Sequence, residues 1–306
     1  MDRSTPLTIN LASLLDISQP EMTFYETSFF HPMTDTSPVP ELPSPALVRK
    51  ESQAQGHHKV VKFKHLNLVV KFGGPSWVRL EEAQVMRVIS QLFPAQELSV
   101  PELFGWKVDE GQNFIYMSLI DGPTLGKAWP LLSQEEKKSI CGQLSQIVAS
   151  LRRIQQHSSY PFIGSINSGQ VQDIYFRCGH EAGPFLNVSD FNNWVQLAAL
   201  PMIPISKRPP DPYRHLLPDK CSIHFSHGDL NLENIIISNT QGSRRIIGIL
   251  DWEQAGWYPE YWEYCKLIMG ARYSHEWRKS GWAELIMAPY KEECIALSEY
   301  WMWRCP

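Results

Sequence analysis

The 306 residues contain no Cys-x-x-Cys pair. The cysteines at Cys141, Cys178, Cys221, Cys265, Cys294 and Cys305 are scattered and have no histidine cluster beside them, which argues against a zinc site or a disulfide framework and for reduced thiols. No long block of lysine and arginine occurs, and the formal net charge is −4 with pI near 6.2. A phosphate backbone would find no basic track here, so nucleic acid is not an expected partner. No apolar run is long enough to span a bilayer. Asp2 and Arg3 open a stretch without the apolar core of a leader peptide. These absences point to a cytoplasmic protein with no membrane partner. Nothing in the sequence sets the oligomeric state.

What is present is ordinary for a folded enzyme-sized chain, with 43% hydrophobic and 20% charged residues. The length is more than one small core usually organises and suits two lobes. Residues 1–48 are rich in proline and show little periodicity, which reads as a partly irregular extension. Its aromatic residues Phe24, Tyr25, Phe29 and Phe30 argue against full disorder and for packing on the part that follows.

Val60–Phe63 and Leu68–Phe72 alternate in the manner of two strands around the turn Lys64–Asn67. Leu68, Val70 and Phe72 share one face, so Lys71 lies on the other. From Val78 to Phe93 apolar residues recur at helical spacing, and Glu82 falls on the same stripe. A carboxylate on an inward face is costly unless it is paired, and Lys71 is the natural partner. Pro101–Trp106 and Phe114–Ile120 read as two further strands, ending at Gly122-Pro123. Ser133 and Glu136 form a capping box that opens a core helix with Ile140, Leu144, Ile147, Val148 and Leu151 on one face. Residues 158–218 look irregular apart from a helix over 191–200.

The chemistry concentrates in His227-Gly228-Asp229 and in Asn234, five positions after the aspartate. Two apolar runs follow, 235–237 and 246–250, and then Asp251-Trp252-Glu253. His-Gly-Asp alone is an ordinary surface turn. With an Asn at that spacing and a hairpin that returns a second Asp, the set fits phosphoryl transfer, which needs a base for the acceptor hydroxyl and oxygen ligands for magnesium. His227 reads as a buried residue pinning the loop.

The run from His227 to Asn234 and the segment Gly248–Glu263 resemble the aminoglycoside phosphotransferase and choline kinase family, in the branch abundant in filamentous fungi. The similarity extends from about Lys71 to about Ala271. The resemblance implies an α+β, two-lobed, protein-kinase-like fold, with a small antiparallel β-sheet lobe (49–121) and a larger, mainly helical lobe (122–306). It implies an ATP-dependent, possibly GTP-dependent, small-molecule kinase that uses Mg2+ and a small-molecule hydroxyl acceptor. Asp229 would be the catalytic base, Asn234 and Asp251 the metal ligands, and Lys71 with Glu82 the phosphate anchor. Met117 and Leu119 would lie at the hinge that meets the nucleotide base. His180, Glu181, Asp190 and Trp194 are candidates for the acceptor pocket. The aromatic crowd from Trp257 to Tyr273, with the acids Glu260 and Glu263 among it, reads first as core packing with solvated acids and second as a receptor for a cationic amine through cation–π contacts and ion pairing. One departure stands out: no glycine-patterned phosphate loop is present, since Gly56 is isolated and Gly73-Gly74 follows the lysine. A kinase-like binding or scaffold protein without turnover therefore remains open as the alternative.

Overall fold

The structure, a computed structural model, describes residues 6–31, 40–156, 161–177, 182–240 and 242–304. In chain order its strands are β1 (Leu7–Ile9), β2 (Glu21–Thr23), β3 (Val60–Phe63), β4 (Leu68–Gly73), β5 (Leu103–Asp109), β6 (Gln112–Ser118), β7 (Ile154–Gln156), β8 (Gly164–Ser165), β9 (Ile223–Ser226), β10 (Ile235–Ile237), β11 (Ile246–Ile249) and β12 (Gly256–Pro259). Its α-helices are α1 (Pro45–Ala54), α2 (Glu81–Leu92), α3 (Leu125–Ala128), α4 (Gln134–Arg152), α5 (Ile174–Arg177), α6 (Val188–Ala199), α7 (Trp262–Met269), α8 (Glu276–Lys279) and α9 (Lys291–Arg304). The α+β class read from the sequence is the class observed. The described residues fall into two compact units, one within Met1–Ala12, Gly122–Ile247 and Gln254–Pro306, the other within Ser13–Asp121 and Gly248–Glu253.

The second unit is built on a five-stranded antiparallel sheet in the order β2-β5-β6-β4-β3. The alternation in β4 sends Leu68, Val70 and Phe72 into a core shared with Val61, Phe104 and Phe114, while Lys71 faces the other way. Phe72 stacks on Phe114 with centroids 5.2 Å apart, a contact that contributes about 1 kcal/mol beyond area burial. Glu110 (φ 48°) and Gly111 (φ 71°) make the tight left-handed turn between β5 and β6, the geometry that matches strand twist. The described part of the first 48 residues, 6–31 and 40–48, is more regular than its proline content suggests. Glu21–Thr23 adds an edge strand to β5, and Phe29 and Phe30 are buried in the sheet core. Gly105 permits this pairing, because a Cβ there would stand 2.2 Å from the Met22 carbonyl oxygen.

In the first unit, the capping box at Ser133 and Glu136 is formed in both directions, and α4 buries Ile140, Leu144, Ile147 and Leu151. Strands β8, β12 and β9 make an antiparallel sheet, which brings the end of β9 directly to His227. β1 pairs in parallel with β7, and β10 pairs with β11. Most of the aromatic residues after 256 are core: Tyr258 stacks on Trp262 at 5.5 Å and 6°, and Phe191 meets the same indole edge-on.

Candidate active site

In the sheet unit, Lys71 projects from β4 into three carboxylates. Its ammonium lies 2.8 Å from Glu82 of α2, 2.6 Å from Asp251 and 2.8 Å from Glu253. Burial alone would depress the lysine pKa, but the charges of Glu82, Asp251 and Glu253 reverse that and hold it above the ordinary lysine range. Burial pushes the Glu82 carboxyl up, to about 7, against the pull of Lys71. The group is an ion-paired cluster, with one ammonium in hydrogen-bond reach of an oxygen from each of the three acids. Asp251 adopts φ 64°, a left-handed conformation uncommon outside glycine and tolerated by aspartate. Carboxylate oxygens of Glu82, Asp251 and Glu253 lie within 4.8 Å of one another.

In the larger unit, β9 ends at His227, which is fully buried. Its Nδ1 accepts the Asp229 backbone N–H at 3.1 Å, so it braces the loop as its burial suggests. Gly228 stands at φ 75°, and a Cβ there would approach the Gln254 carbonyl oxygen to 2.7 Å. Only glycine fits that turn without strain. The Gly228 N–H donates to Glu263 Oε2 at 3.2 Å. Asn231 Nδ2 donates to Asp229 Oδ1 at 3.0 Å, and Asn234 Nδ2 to Asp229 Oδ2 at 2.9 Å. Two amides thus fix the plane of the Asp229 carboxylate. Because the Asn234 nitrogen is committed there and also to the Asp229 carbonyl at 2.9 Å, its oxygen is the atom able to meet a cation.

Asp229 lies on the wall of a cavity of about 1150 Å³, whose lining also includes Asp173, Trp262, Lys266, Tyr273 and Trp301. Asp173 is fully buried and pairs with Lys266 at 2.9 Å. It also accepts the Trp262 indole N–H at 3.0 Å, while Lys266 donates to Gln254 at 3.1 Å. This network holds α7 against the segment leading into α5.

The structure therefore brings Lys71, Glu82 and Asp251 together in one unit, and Asp229 and Asn234 together in the other. Met117 is a central-strand residue, paired on both sides with Val69 and Leu103. The Leu119 N–H donates to the Asn67 carbonyl at 2.9 Å. Asp190 is exposed, where Asn187 Nδ2 donates to its carboxylate, and neither Asp190 nor Trp194 is among the cavity residues. His180 and Glu181, like Cys178 and Cys305, lie outside the described residues. Glu263 corrects the reading of solvated acids: it is 3% exposed, and burial, opposed by His227, raises its pKa. The sequence alone assigns no role to Glu253, which meets Lys71, to Glu263, which meets the loop, or to the Asp173–Lys266 pair. Glu263, one residue inside α7 among buried aromatics, carried the clearest signal that could have been used.

The sequence model of the phosphotransferase enzyme family (APH) matches residues 55–294. The chain belongs to that family. No curated protein matches it. Among solved structures, an aminoglycoside 3'-phosphotransferase of type VIII is 14% identical, with 76% of this chain and 84% of the other covered and a TM-score of 0.47. A streptomycin–ATP complex of an aminoglycoside 2''-phosphotransferase is 13% identical, with coverage of 83% and 88% and a TM-score of 0.49. A macrolide 2'-phosphotransferase from Brachybacterium faecium is 17% identical, with coverage of 76% and 74% and a TM-score of 0.40. At these scores the likeness supports no inference about activity.

Each unit carries hard oxygen atoms of the kind magnesium takes: the carboxylates of Asp251 and its neighbours Glu82 and Glu253 in one, and the Asn234 amide in the other. The three carboxylates around a single ammonium also leave an excess of negative charge for a cation to offset. Among the described residues no helix is long and apolar enough to cross a membrane.

Proposed function

We propose that this chain transfers the γ-phosphate of ATP, or of GTP, to a hydroxyl of a small molecule in the cytoplasm. Asp229 accepts the proton of the acceptor hydroxyl as its oxygen bonds to the γ-phosphorus and the bond to the β–γ bridging oxygen breaks. Lys71, held by Glu82, binds the donor phosphates, and the nucleotide base lies against Met117 and Leu119 in the small lobe, residues 49–121. Asn234 and Asp251 would hold Mg2+, which neutralises charge developing on the phosphates. The acceptor occupies the unit formed mainly by residues 122–306.

The observation that carries this reading is the Asp229 carboxylate, oriented by Asn231 and Asn234 and facing a cavity large enough for a drug-sized molecule. Four described cysteines are free, which is consistent with a reducing compartment.

The test is Asp229→Asn, assayed for ATP consumption against a metabolite pool, with Asp251→Ala as blank. Turnover should fall by a factor on the order of 10² to 10⁴, while magnesium-dependent thermal stabilisation by ATP persists. Acceptor-dependent ATP consumption at the wild-type rate would remove Asp229 from the mechanism. No stabilisation of the wild-type protein by millimolar ATP would favour a binding protein without turnover.

A further inference from the structure

The cavity that contains Asp229 has a charge pattern and an apolar surface that restrict what it can hold. Among the described residues its wall carries four carboxylates (Asp173, Asp229, Glu284 and Glu299) and four cations (Lys266, Arg278, Lys279 and Lys291). There is no excess of negative charge to attract a polyamine. Asp173 is neutralised by Lys266 at 2.9 Å, and Glu284 is engaged by Lys291 at 3.3 Å. The Glu299 side chain hydrogen-bonds Tyr213. The Arg278 guanidinium, by contrast, stands over the Tyr273 ring at 5.1 Å and meets no carboxylate among the described residues.

The apolar part of the wall points the same way. Ile174, Tyr273, Ile295 and Met302 are among the exposed large hydrophobic side chains of the chain, with Tyr273 78% and Met302 54% exposed, and all four line this one cavity. Exposed apolar side chains scattered singly need no explanation, but a group gathered on a concave wall marks a binding surface. Trp301 adds an indole to it.

We infer that the acceptor is an amphipathic alcohol bearing an anionic group: its apolar body lies on Ile174, Tyr273, Ile295 and Met302, and its carboxylate or phosphate pairs with Arg278. Arginine suits this role because its planar fork receives two oxygens at once and is already stacked on an aromatic face. Lys279, next in the chain and exposed on the same wall, adds a second positive charge there. This inference rests on the phosphotransferase reading only for the word acceptor, since the recognition itself is a binding event.

The test uses three probes that share hydroxyls and an alkyl chain and differ in head-group charge: octyl β-D-glucoside, octyl β-D-glucuronide and octyl 6-amino-6-deoxy-β-D-glucoside. Each is titrated below its micelle-forming concentration into nucleotide-free, full-length protein, followed by calorimetry. The glucuronide should bind about tenfold more tightly than the amine. Arg278→Gln should collapse that ratio while leaving the affinity for the neutral glucoside nearly unchanged, which also shows that the variant is folded. Met302→Asp should weaken the neutral and anionic probes. Binding of the amine at least as tight as that of the glucuronide, a ratio indifferent to Arg278→Gln, or no binding of any probe would each overturn the inference. Transfer from ATP to a bound probe is read separately by mass. Preferential binding without transfer at any ATP concentration counts against the catalytic reading and leaves the recognition intact, whereas transfer to the amine in preference to the glucuronide does the reverse.

Discussion

Lys71 and Asp251 are 180 positions apart in sequence, and their side chains meet at 2.6 Å. Residues 248–253 belong to the same compact unit as the five-stranded sheet, although the chain on both sides of them belongs to the other unit. The Ile249 N–H donates to the Ser99 carbonyl at 2.9 Å, and the Trp252 indole N–H returns to the Ile249 carbonyl at 3.0 Å. These two bonds present the carboxylates of 251 and 253 to the lysine.

The cluster makes stability depend on pH. Burial raises the Glu82 carboxyl from an ordinary 4.5 to about 7. Between those values the folded protein holds more of that proton than the unfolded chain, so stability contributed by Glu82 falls as pH rises through the window, by no more than about 3 kcal/mol. His224 acts in the opposite sense. Burial, aided by Arg152, lowers it from 6.5 to about 4, so folded protein binds fewer protons there and stability climbs as pH rises from 4 to 6.5. The two trends offset one another in the wild type. Urea unfolding at pH 5 and pH 7 should show Glu82→Gln gaining stability with pH relative to wild type; equal changes in the two proteins would mean that the Glu82 carboxyl is not raised.

Two glycines give opposite results with the same substitution. Gly228→Ala must place a Cβ 2.7 Å from the Gln254 carbonyl oxygen at φ 75°, costing about 1–3 kcal/mol and shifting Asp229. Gly142 lies within α4, and nothing stands within 4 Å of the Cβ it would gain, so Gly142→Ala should stabilise by about 0.5–1 kcal/mol. Thermal unfolding of the two variants checks the signs, and a neutral Gly228→Ala would show that the loop before Asp229 can relax.

The Asp173–Lys266 pair is buried beside the cavity. Lys266→Met leaves Asp173 charged and fully buried, at a cost of about 3–5 kcal/mol. Adding Asp173→Asn removes the stranded charge and should restore most of the loss. Denaturant midpoints of the single and double variants decide this; strictly additive effects would mean that the two groups act independently.

Much of the frame is legible in the sequence because it is local. The alternation of 60–72 gave the β3–β4 hairpin, and the helical stripe around Val85 put Glu82 on the face that meets Lys71. The spacing of Asp229 and Asn234 is a loop property, so their nearness is legible from order alone, whereas the hydrogen bond between them is seen only in the structure. What was not legible depends on partners far along the chain. Glu21–Thr23 is too short and polar to look like a strand until β5 lies beside it, and β12 is disguised as part of an aromatic crowd. Glu263 reads as a surface acid even though aromatic residues flank it, because the backbone N–H that meets it in the interior, from Gly228, lies 35 positions away in sequence. Asp173 and Lys266, 93 positions apart, share no local pattern.

The pairing of β2 on β5 reaches beyond the fold of its own unit. A sheet ends safely only where its outermost backbone groups are engaged or shielded, and here Met22 and its neighbours fulfil that duty for the seven-residue β5. A protein truncated to begin at Pro45 would retain every candidate catalytic side chain, yet it would offer an open ribbon of amides and carbonyls to other molecules of its kind, so self-association rather than loss of chemistry is how such a shortened form would fail.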